Sequence, residues 1–253
     1  MSQFSFGAGV LVGTPLTDAY GTAIAAPTPI QLGIMQEVSV DFSFDIKELY
    51  GQYQFPVAIG RGKGKISGKS KFAQINGLSI NTLVFGQTLA SGTLAEVIDT
   101  TGAPIPTTPF TITPTVPGSG TWTKDLGVFD PNGLPMVRVV SGPTAGQYSV
   151  SAGVYTFAAA DTGKVVRISF QYTATSTVAK MLTVTNVLMG NSPQFRVDLL
   201  QTYNGKQFVL TLPACVGTKF TIATKLDDFM VPEFDFMAFA DAAGNVAYLA
   251  TAE

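Results

Sequence analysis

Residues 37–47 alternate strictly between apolar and polar side chains. The even positions are apolar, and the odd positions are charged or serine. The apolar positions are Val38, Val40, Phe42, Phe44 and Ile46. A period of two over this length predicts a β-strand with one buried face.

Residues 58–72, "AIGRGKGKISGKSKF", continue the same parity after a predicted turn at 49–56. All five cations of this segment lie at odd positions, and Ala58, Ile66 and Phe72 share the even face with the glycines. We expect this segment to be the antiparallel partner strand, with Lys47 opposite Val57, Ser43 opposite Arg61 and Asp41 opposite Lys63. The glycines would allow another backbone to approach closely.

This pairing places acidic and basic side chains on one face, where opposite charges across strands contribute about 0.2–1 kcal/mol each. The residues concerned are Glu37, Asp41, Asp45, Arg61, Lys63, Lys65, Lys69 and Lys71.

The other segments carry weaker patterns. Residues 1–35 are rich in glycine, threonine, alanine and proline, which predicts an extended N-terminal arm or first strand. Residues 76–92 predict one short helix, capped by Asn76 or Ser79 and stopped by Gly86.

Short strand-like runs between turn signals predict a compact β module at 93–176, inserted after the helix. Hairpins follow, because Asn204-Gly205 is a strong two-residue turn signal. We also expect a strand at 219–224 and a final hairpin at 233–250. The predicted fold is mainly β, with its core at 36–92 and 177–253.

The composition suggests that the chain assembles with other subunits. Charged residues make up 13% of the chain, against about 25% in an ordinary soluble domain. Mean hydropathy is +0.30. Charged residues are depleted in the cores of interfaces, so much of the surface is expected to be covered by other subunits. The sequence contains no apolar run long enough for a membrane helix. The N-terminus lacks the features of a signal peptide.

A nucleotide site is the first chemical alternative, since Gly68-Lys69-Ser70 matches the end of a phosphate-binding loop. The motif requires a glycine at position 63, which is lysine. The chain also lacks the alternation of strands and helices that would build the parallel sheet around such a loop. This interpretation is therefore disfavoured.

Direct nucleic-acid binding is the second alternative, because a basic row on one strand can contact phosphates. The neighbouring acidic strand neutralises that row, and the net charge is −2. No aromatic side chains alternate with the cations to stack bases. A salt-bridged polar face is the favoured interpretation.

Catalysis and metal binding have little support. The chain contains no histidine, the commonest general base and metal ligand. The pairs Asp227-Asp228 and Glu233-Asp235 lack calcium-loop spacing and are interpreted as solvated loop residues. Cys215 is interpreted as an inert core thiol, and Trp122 as the anchor of a small β core, although it could stack a sugar or base.

Two segments resemble bacteriophage proteins. Residues 48–86, "ELYGQYQFPVAIGRGKGKISGKSKFAQINGLSINTLVFG", resemble part of the tail tube (major tail) proteins of tailed phages. Residues 146–163, "GQYSVSAGVYTFAAADTG", are similar to strand–turn modules of phage structural proteins. The likeness covers about half of the chain and includes no catalytic motif.

The resemblance implies a β-sandwich or barrel core with a helix at its side. Protomers would form hexameric rings whose strands close an inner barrel, and stacked rings would form the tube through which DNA leaves the capsid. The hairpin at 36–72 would line the tube, with its charged residues facing the lumen or a neighbouring subunit. The arm and the 48–56 turn would contact adjacent rings, and 93–176 would point outward.

The resemblance also implies the partners: copies of the chain, other tail proteins (tape measure, terminator, baseplate or tip) and DNA that passes non-specifically. It implies no catalysis, no cofactor and no membrane, and a location in the virion after assembly in the bacterial cytoplasm. Lumens in this family tend to be acidic, whereas this face carries at least as many cations as anions. Either cross-strand pairing leaves the bore near neutral, or the row faces an acidic neighbour.

Two alternatives remain open. The chain could be a capsid decoration or head–tail connector protein. It could also be a virion module that binds a carbohydrate or receptor, with its site in 93–176 at Trp122.

Overall fold

A computed structural model describes residues 6–74 and 76–251. It confirms a mainly β fold. The chain divides into two compact units, one formed by residues 1–89 and 182–253 and the other by residues 90–181. The segment 93–176 lies within the second unit, and residues 1–5 of the predicted arm lie outside the described residues.

The described residues form eighteen strands, numbered in chain order. They are β1 (Val10–Pro15), β2 (Ile30–Gln31), β3 (Met35–Tyr50), β4 (Pro56–Phe72), β5 (Leu89–Ser91), β6 (Thr93–Val97), β7 (Ala103–Pro104), β8 (Thr111–Ile112), β9 (Thr121–Phe129), β10 (Val137–Arg138), β11 (Gln147–Ser151), β12 (Val154–Phe157), β13 (Val165–Ala174), β14 (Lys180–Leu182), β15 (Gln194–Tyr203), β16 (Lys206–Thr221), β17 (Glu233–Ala238) and β18 (Tyr248–Thr251).

The first unit is built on one antiparallel sheet in the order β2-β1-β15-β16-β17-β4-β3, and β18 also pairs with β16. Its core centres on three phenylalanine rings, Phe195, Phe234 and Phe236, whose centroids lie 5.7–6.2 Å apart. The alternation of β17 puts Phe234 and Phe236 on the buried face of the sheet.

Of the two predictions for the N-terminal segment, an arm or a first strand, residues 10–15 form the strand: β1 lies inside this sheet and pairs with β15. Leu11 is buried in the core. Gly13 leaves space for Leu83, since a Cβ at Gly13 would lie 2.6 Å from a Leu83 methyl carbon. The small side chain therefore lets the neighbouring helical segment pack directly on the strand.

The helix α1 (Gly77–Ile80) continues as a π-helical turn, Asn81–Phe85. The Asn76 side chain accepts a hydrogen bond from the backbone N–H of Leu78, so it caps the helix as predicted. Gly86 ends the turn with a left-handed φ of 59°, which confirms the predicted stop.

The hairpin around Asn204-Gly205 is confirmed, since Tyr203 pairs with Lys206 and both turn residues have positive φ. The predicted strand at 219–224 is the end of β16 instead. The predicted final hairpin is wrong, because β17 and β18 do not pair with each other. β16 is long enough to accept β18 at Phe208–Thr211 and β17 at Cys215–Thr221 along the same edge.

The second unit contains two four-stranded sheets. One has the order β10-β11-β12-β8, and in the other β13 pairs with β6, β7 and β9. Aromatic and branched side chains form its core: Ile105, Val128, Met136, Tyr148, Tyr155, Phe157, Val166, Ile168 and Phe170. β9 is one of several strands that the sequence pattern did not predict, and an irregularity between Asp125 and Gly127 breaks its alternation.

Candidate self-association surface

The strands β3 and β4 form the predicted antiparallel hairpin, but in a different register. Asp41 lies opposite Ser67, and Ser43 lies opposite Lys65, instead of Lys63 and Arg61. The register differs because the turn lies further along the chain than predicted. The last pair before the turn is Tyr50 with Pro56, whereas Lys47 was expected opposite Val57. A bulge between Phe44 and Ile46 also inserts an extra residue into β4.

The bulge moves Arg61 to the apolar face of the hairpin. Arg61 lies opposite Ile46, and its guanidinium carbon is 4.4 Å from the centre of the Phe44 ring. This is a cation–π contact. The prediction that Arg61 shares a face with Glu37, Asp41 and Asp45 is therefore wrong, because one inserted residue reverses the direction of the side chains beyond it.

Three of the predicted site residues do come together, at the base of the hairpin. Lys71 Nζ lies 2.6 Å from the Glu37 carboxylate and 3.8 Å from that of Glu233, and Lys69 Nζ lies 3.1 Å from Glu233. These residues form a charge row across β3, β4 and β17 on the exposed side of the sheet. The interpretation of Glu233 as a solvated loop residue is wrong, and the strand expected from residue 233 onward was the better guide, since Glu233 begins β17.

The charge row shifts the acid–base equilibria of its members. A hydrogen bond from Lys71 lowers the pKa of Glu37 below its usual value, and the same contact raises the pKa of Lys71. A hydrogen bond from Lys69 lowers the pKa of Glu233. The shifts of Glu37, Lys71 and Glu233 all favour the ionised form, so opposite charges lie side by side in this part of the face.

Other predicted site residues do not join this row. Asp45 lies at the bulge, where its Cβ is 3.3 Å from the position that a Cβ would have at Gly62. The backbone oxygen of Lys65 accepts a long hydrogen bond, 3.4 Å, from the Ser43 hydroxyl. Lys63 lies within the bulged stretch of β4, between Arg61 and Gly64. Asp41 and Lys65 are both exposed.

Beyond Ile66, the last residue of β4 that pairs with β17, the strands β3 and β4 pair only with each other. We call residues 43–65 the distal hairpin. With Phe42 at its base, it carries a set of large apolar side chains that are 45–79% exposed: Phe42, Phe44, Ile46, Leu49, Tyr50, Tyr53, Phe55, Val57 and Ile59. The prediction of a half-buried strand holds at Val38 and Val40, which pack against the core of the first unit. It is wrong from Phe42 to Ile46, whose apolar side chains are 45–55% exposed.

The exposed apolar surface is large. Five of its residues are aromatic, and each aromatic side chain carries about 150–250 Å² of surface. Half-exposed rings alone therefore present several hundred Å², a patch size that marks interaction sites on soluble proteins. β3 is also the edge strand of the sheet, so its outer backbone groups are available to another strand.

The Gly68-Lys69-Ser70 sequence lies inside strand β4 and not in a loop. Ser70 is fully buried, and its hydroxyl donates a hydrogen bond of 3.2 Å to the backbone oxygen of Phe234. Backbone N–H groups that pair in a sheet cannot surround a phosphate. The geometry therefore argues against a nucleotide site here.

Trp122 and Cys215 are core residues. The Trp122 indole N–H donates a hydrogen bond of 3.3 Å to the Tyr155 hydroxyl, and the ring packs against the core of the second unit. Cys215 is fully buried, and burial raises the pKa of its thiol to about 12. In the loop that follows β16, Asp228 forms an exposed ion pair with Lys225 at 3.5 Å.

Comparisons with known proteins do not identify a relative: no protein-family model and no curated protein matches this sequence. Among the described residues, no helix has the length and apolar character needed to span a membrane.

Proposed function

We propose that this chain is a structural subunit that assembles with copies of itself into the tail tube of a bacteriophage. The observation that carries the proposal is the distal hairpin, which extends beyond its own sheet and exposes apolar side chains on a free edge strand. A single chain leaves this surface in water, at a cost of about 25 cal/mol for each Å². A second copy would cover it.

The orientation of the hairpin follows from its two faces. Phe44, Ile46 and Arg61 share one face, while Ser43 and Lys65 share the other. The apolar face would pack against the neighbouring protomer. The face with Lys47 and Lys65 would then border the lumen, where DNA passes without sequence-specific contacts.

The edges of the sheet support closure into a ring. A heterologous contact that repeats by rotation closes into a ring and leaves no unpaired strand edge. The hexameric symmetry and the stacking of rings are inferred from the sequence resemblance. The other tail proteins as partners at the tube ends and the location in the virion are inferred from it as well. The proposal includes no catalytic step and no cofactor.

The proposal is tested by sedimentation velocity and negative-stain electron microscopy of the purified chain. We expect rings and open-ended tubes that grow with protein concentration. Replacing Ile46, which is 55% exposed, with aspartate should abolish assembly, because it places a charge in the apolar face.

The matched control is Val140→Asp, since Val140 is fully exposed in the second unit and lies outside the hairpin. This variant should assemble normally. A wild-type chain that stays monomeric at high concentration would refute the proposal, as would an Ile46→Asp variant that assembles like the wild type while circular dichroism shows that both are folded.

A further inference from the structure

An asparagine followed by a glycine can react with its own backbone, because the glycine has no side chain to shield its nitrogen and its backbone rotates freely. The chain contains three such pairs: Asn76-Gly77, Asn132-Gly133 and Asn204-Gly205. The reacting groups are the same in all three. Any difference in their reactivity in the folded chain therefore comes from the structure around each pair.

Asn76 is held at the start of helix α1. Its side-chain oxygen accepts a hydrogen bond of 2.9 Å from the backbone N–H of Leu78. Its backbone oxygen accepts a hydrogen bond of 3.1 Å from the N–H of Ile80. A reaction of the Asn76 side chain with the backbone of Gly77 would break the helix cap, so the fold protects this pair.

Asn132 is held by Asp130. One carboxylate oxygen of Asp130 accepts hydrogen bonds of 2.8 Å from the backbone N–H groups of Asn132 and Leu134. The other accepts a longer one, 3.4 Å, from the side-chain amide of Asn132. The N–H of Gly133 donates a hydrogen bond of 3.0 Å to the backbone oxygen of Asp130. The nitrogen that would have to attack is therefore already engaged.

Asn204 and Gly205 form the exposed two-residue turn between β15 and β16, closed by the pairing of Tyr203 with Lys206. Both turn residues lie in the left-handed region, with φ of 49° and 73°. Among the residues that the structure describes, no hydrogen bond engages the Asn204 side chain or the Gly205 N–H. This pair is therefore the least restrained of the three.

We propose that Asn204 is a site of spontaneous deamidation in the folded chain. The backbone nitrogen of Gly205 attacks Cγ of Asn204, and a new N–Cγ bond closes a cyclic succinimide. The Cγ–Nδ2 bond breaks, and the proton from the Gly205 nitrogen leaves with the amide group as ammonia. Water then opens the ring at either carbonyl and gives aspartate or isoaspartate. No atom is oxidised or reduced, and water is the only co-reactant.

Both products change the hairpin. Each adds a negative charge to a chain whose net charge is −2. Isoaspartate also lengthens the backbone of the turn, and the length of the turn fixes the register of a hairpin. The pairing of Tyr203 with Lys206 should then open. The Tyr203 ring lies 6.2 Å from the Phe6 ring, centroid to centroid, so the change reaches the N-terminal segment.

Peptide mapping by mass spectrometry tests this site in the full-length chain after incubation at mildly alkaline pH. Each converted peptide carries a hydroxyl group in place of an amide NH2 and is identified by its mass. We expect Asn204 to react faster than Asn76 and Asn132 by about five- to thirty-fold, the factor that one or two ordinary hydrogen bonds represent. In urea the three pairs should react at similar rates, because unfolding removes those hydrogen bonds.

Asn204→Gln is the matched control. Glutamine has an additional methylene and would have to close a larger ring, so this variant should lose the conversion at the turn and keep the slow conversion at Asn76 and Asn132. Equal rates at the three pairs in the folded wild type, or a slower rate at Asn204, would overturn the proposal. A preference for Asn204 that persists unchanged in urea would overturn it as well, because the local sequence and not the fold would then be the cause.

Discussion

Gly68 on β4 lies directly opposite Phe236 on β17, and the Phe236 ring covers it so closely that a Cβ at Gly68 would lie 2.2 Å from the ring. Phe44 covers Gly64 on β4 in the same manner, with a ring carbon 3.1 Å from the corresponding position. These glycines therefore make room for aromatic rings of the same chain. The glycine in the "GKS" sequence is explained by packing.

Gly68→Ala should destabilise the first unit. Phe236 is buried among Phe195 and Phe234 and cannot move aside without repacking the core. Overpacking of this kind costs about 1–3 kcal/mol. The free energy of unfolding measured in urea checks this value. Gly60→Ala on the same strand is the matched control, because a Cβ there meets no atom within 4 Å, and its unfolding free energy should not fall.

Local patterns predicted several elements that depend on neighbouring residues alone. The alternation from Val38 to Ile46 predicted β3, the pair Asn204-Gly205 predicted a hairpin, and Asn76 with Gly86 predicted the start and stop of the helix. Each of these signals comes from a few adjacent residues whose backbone geometry or side-chain direction is fixed by chemistry.

The missed features depend on residues far apart in the chain. The register of β3 and β4 is set by a bulge near Gly62, and the pairing of β18 with β16 is set by the length of β16. The alternation could not predict that Phe44 and Ile46 are exposed. An apolar strand face has the same sequence pattern whether the same chain or another chain covers it. The charge row was predicted in part: Glu37, Lys69 and Lys71 were expected on one face, but Glu233 was not.

The Asp125→Ala substitution should lower the stability of the second unit. The Asp125 carboxylate is 3% exposed and accepts hydrogen bonds from the hydroxyls of Tyr148 at 2.7 Å and Tyr155 at 3.1 Å. Burial and, as the next cause, the hydrogen bond to Asp125 raise the pKa of the Tyr148 hydroxyl. The hydroxyl therefore stays protonated and donates this hydrogen bond. Each buried donor left without an acceptor costs about 1–3 kcal/mol.

Fluorescence of Trp122, the single tryptophan, reports this transition, because its indole N–H donates to Tyr155. The neighbouring Lys124→Ala is the control, since Lys124 is exposed and its change should stay within about 0.5 kcal/mol. Equal unfolding curves for the two variants would contradict a stabilising role for Asp125.

Cys215 should be unreactive in the folded chain. It is the single cysteine, it is fully buried, and its pKa is raised to about 12 by burial. Because the thiolate is the reactive form, we expect no reaction with Ellman's reagent at pH 8 and one equivalent of thiol after unfolding in guanidinium. Rapid reaction of the native chain would contradict the burial of this residue.

The charge row should make stability depend on acidity in a defined window. The pKa values of Glu37 and Glu233 are lowered in the folded chain from the ordinary 4.5 by contacts with Lys71 and Lys69. Between the lowered and ordinary values, the unfolded chain binds more protons than the folded chain. The contribution of the row is therefore fully present above pH 4.5 and is lost as the pH falls through the lowered values.

Urea unfolding from pH 3 to pH 7 measures this dependence. Glu37→Gln should flatten the curve below pH 4.5 and leave its shape above that pH unchanged, because glutamine does not titrate. Glu48→Gln is the matched control: Glu48 lies on β3 outside the row, where its carboxylate accepts a hydrogen bond from Tyr50, so this variant should keep the wild-type dependence from Glu37. High salt should reduce the difference between Glu37→Gln and the wild type, since the pair is exposed and screened. A Glu37→Gln variant with the full acid dependence of the wild type would show that Lys71 does not hold this carboxylate.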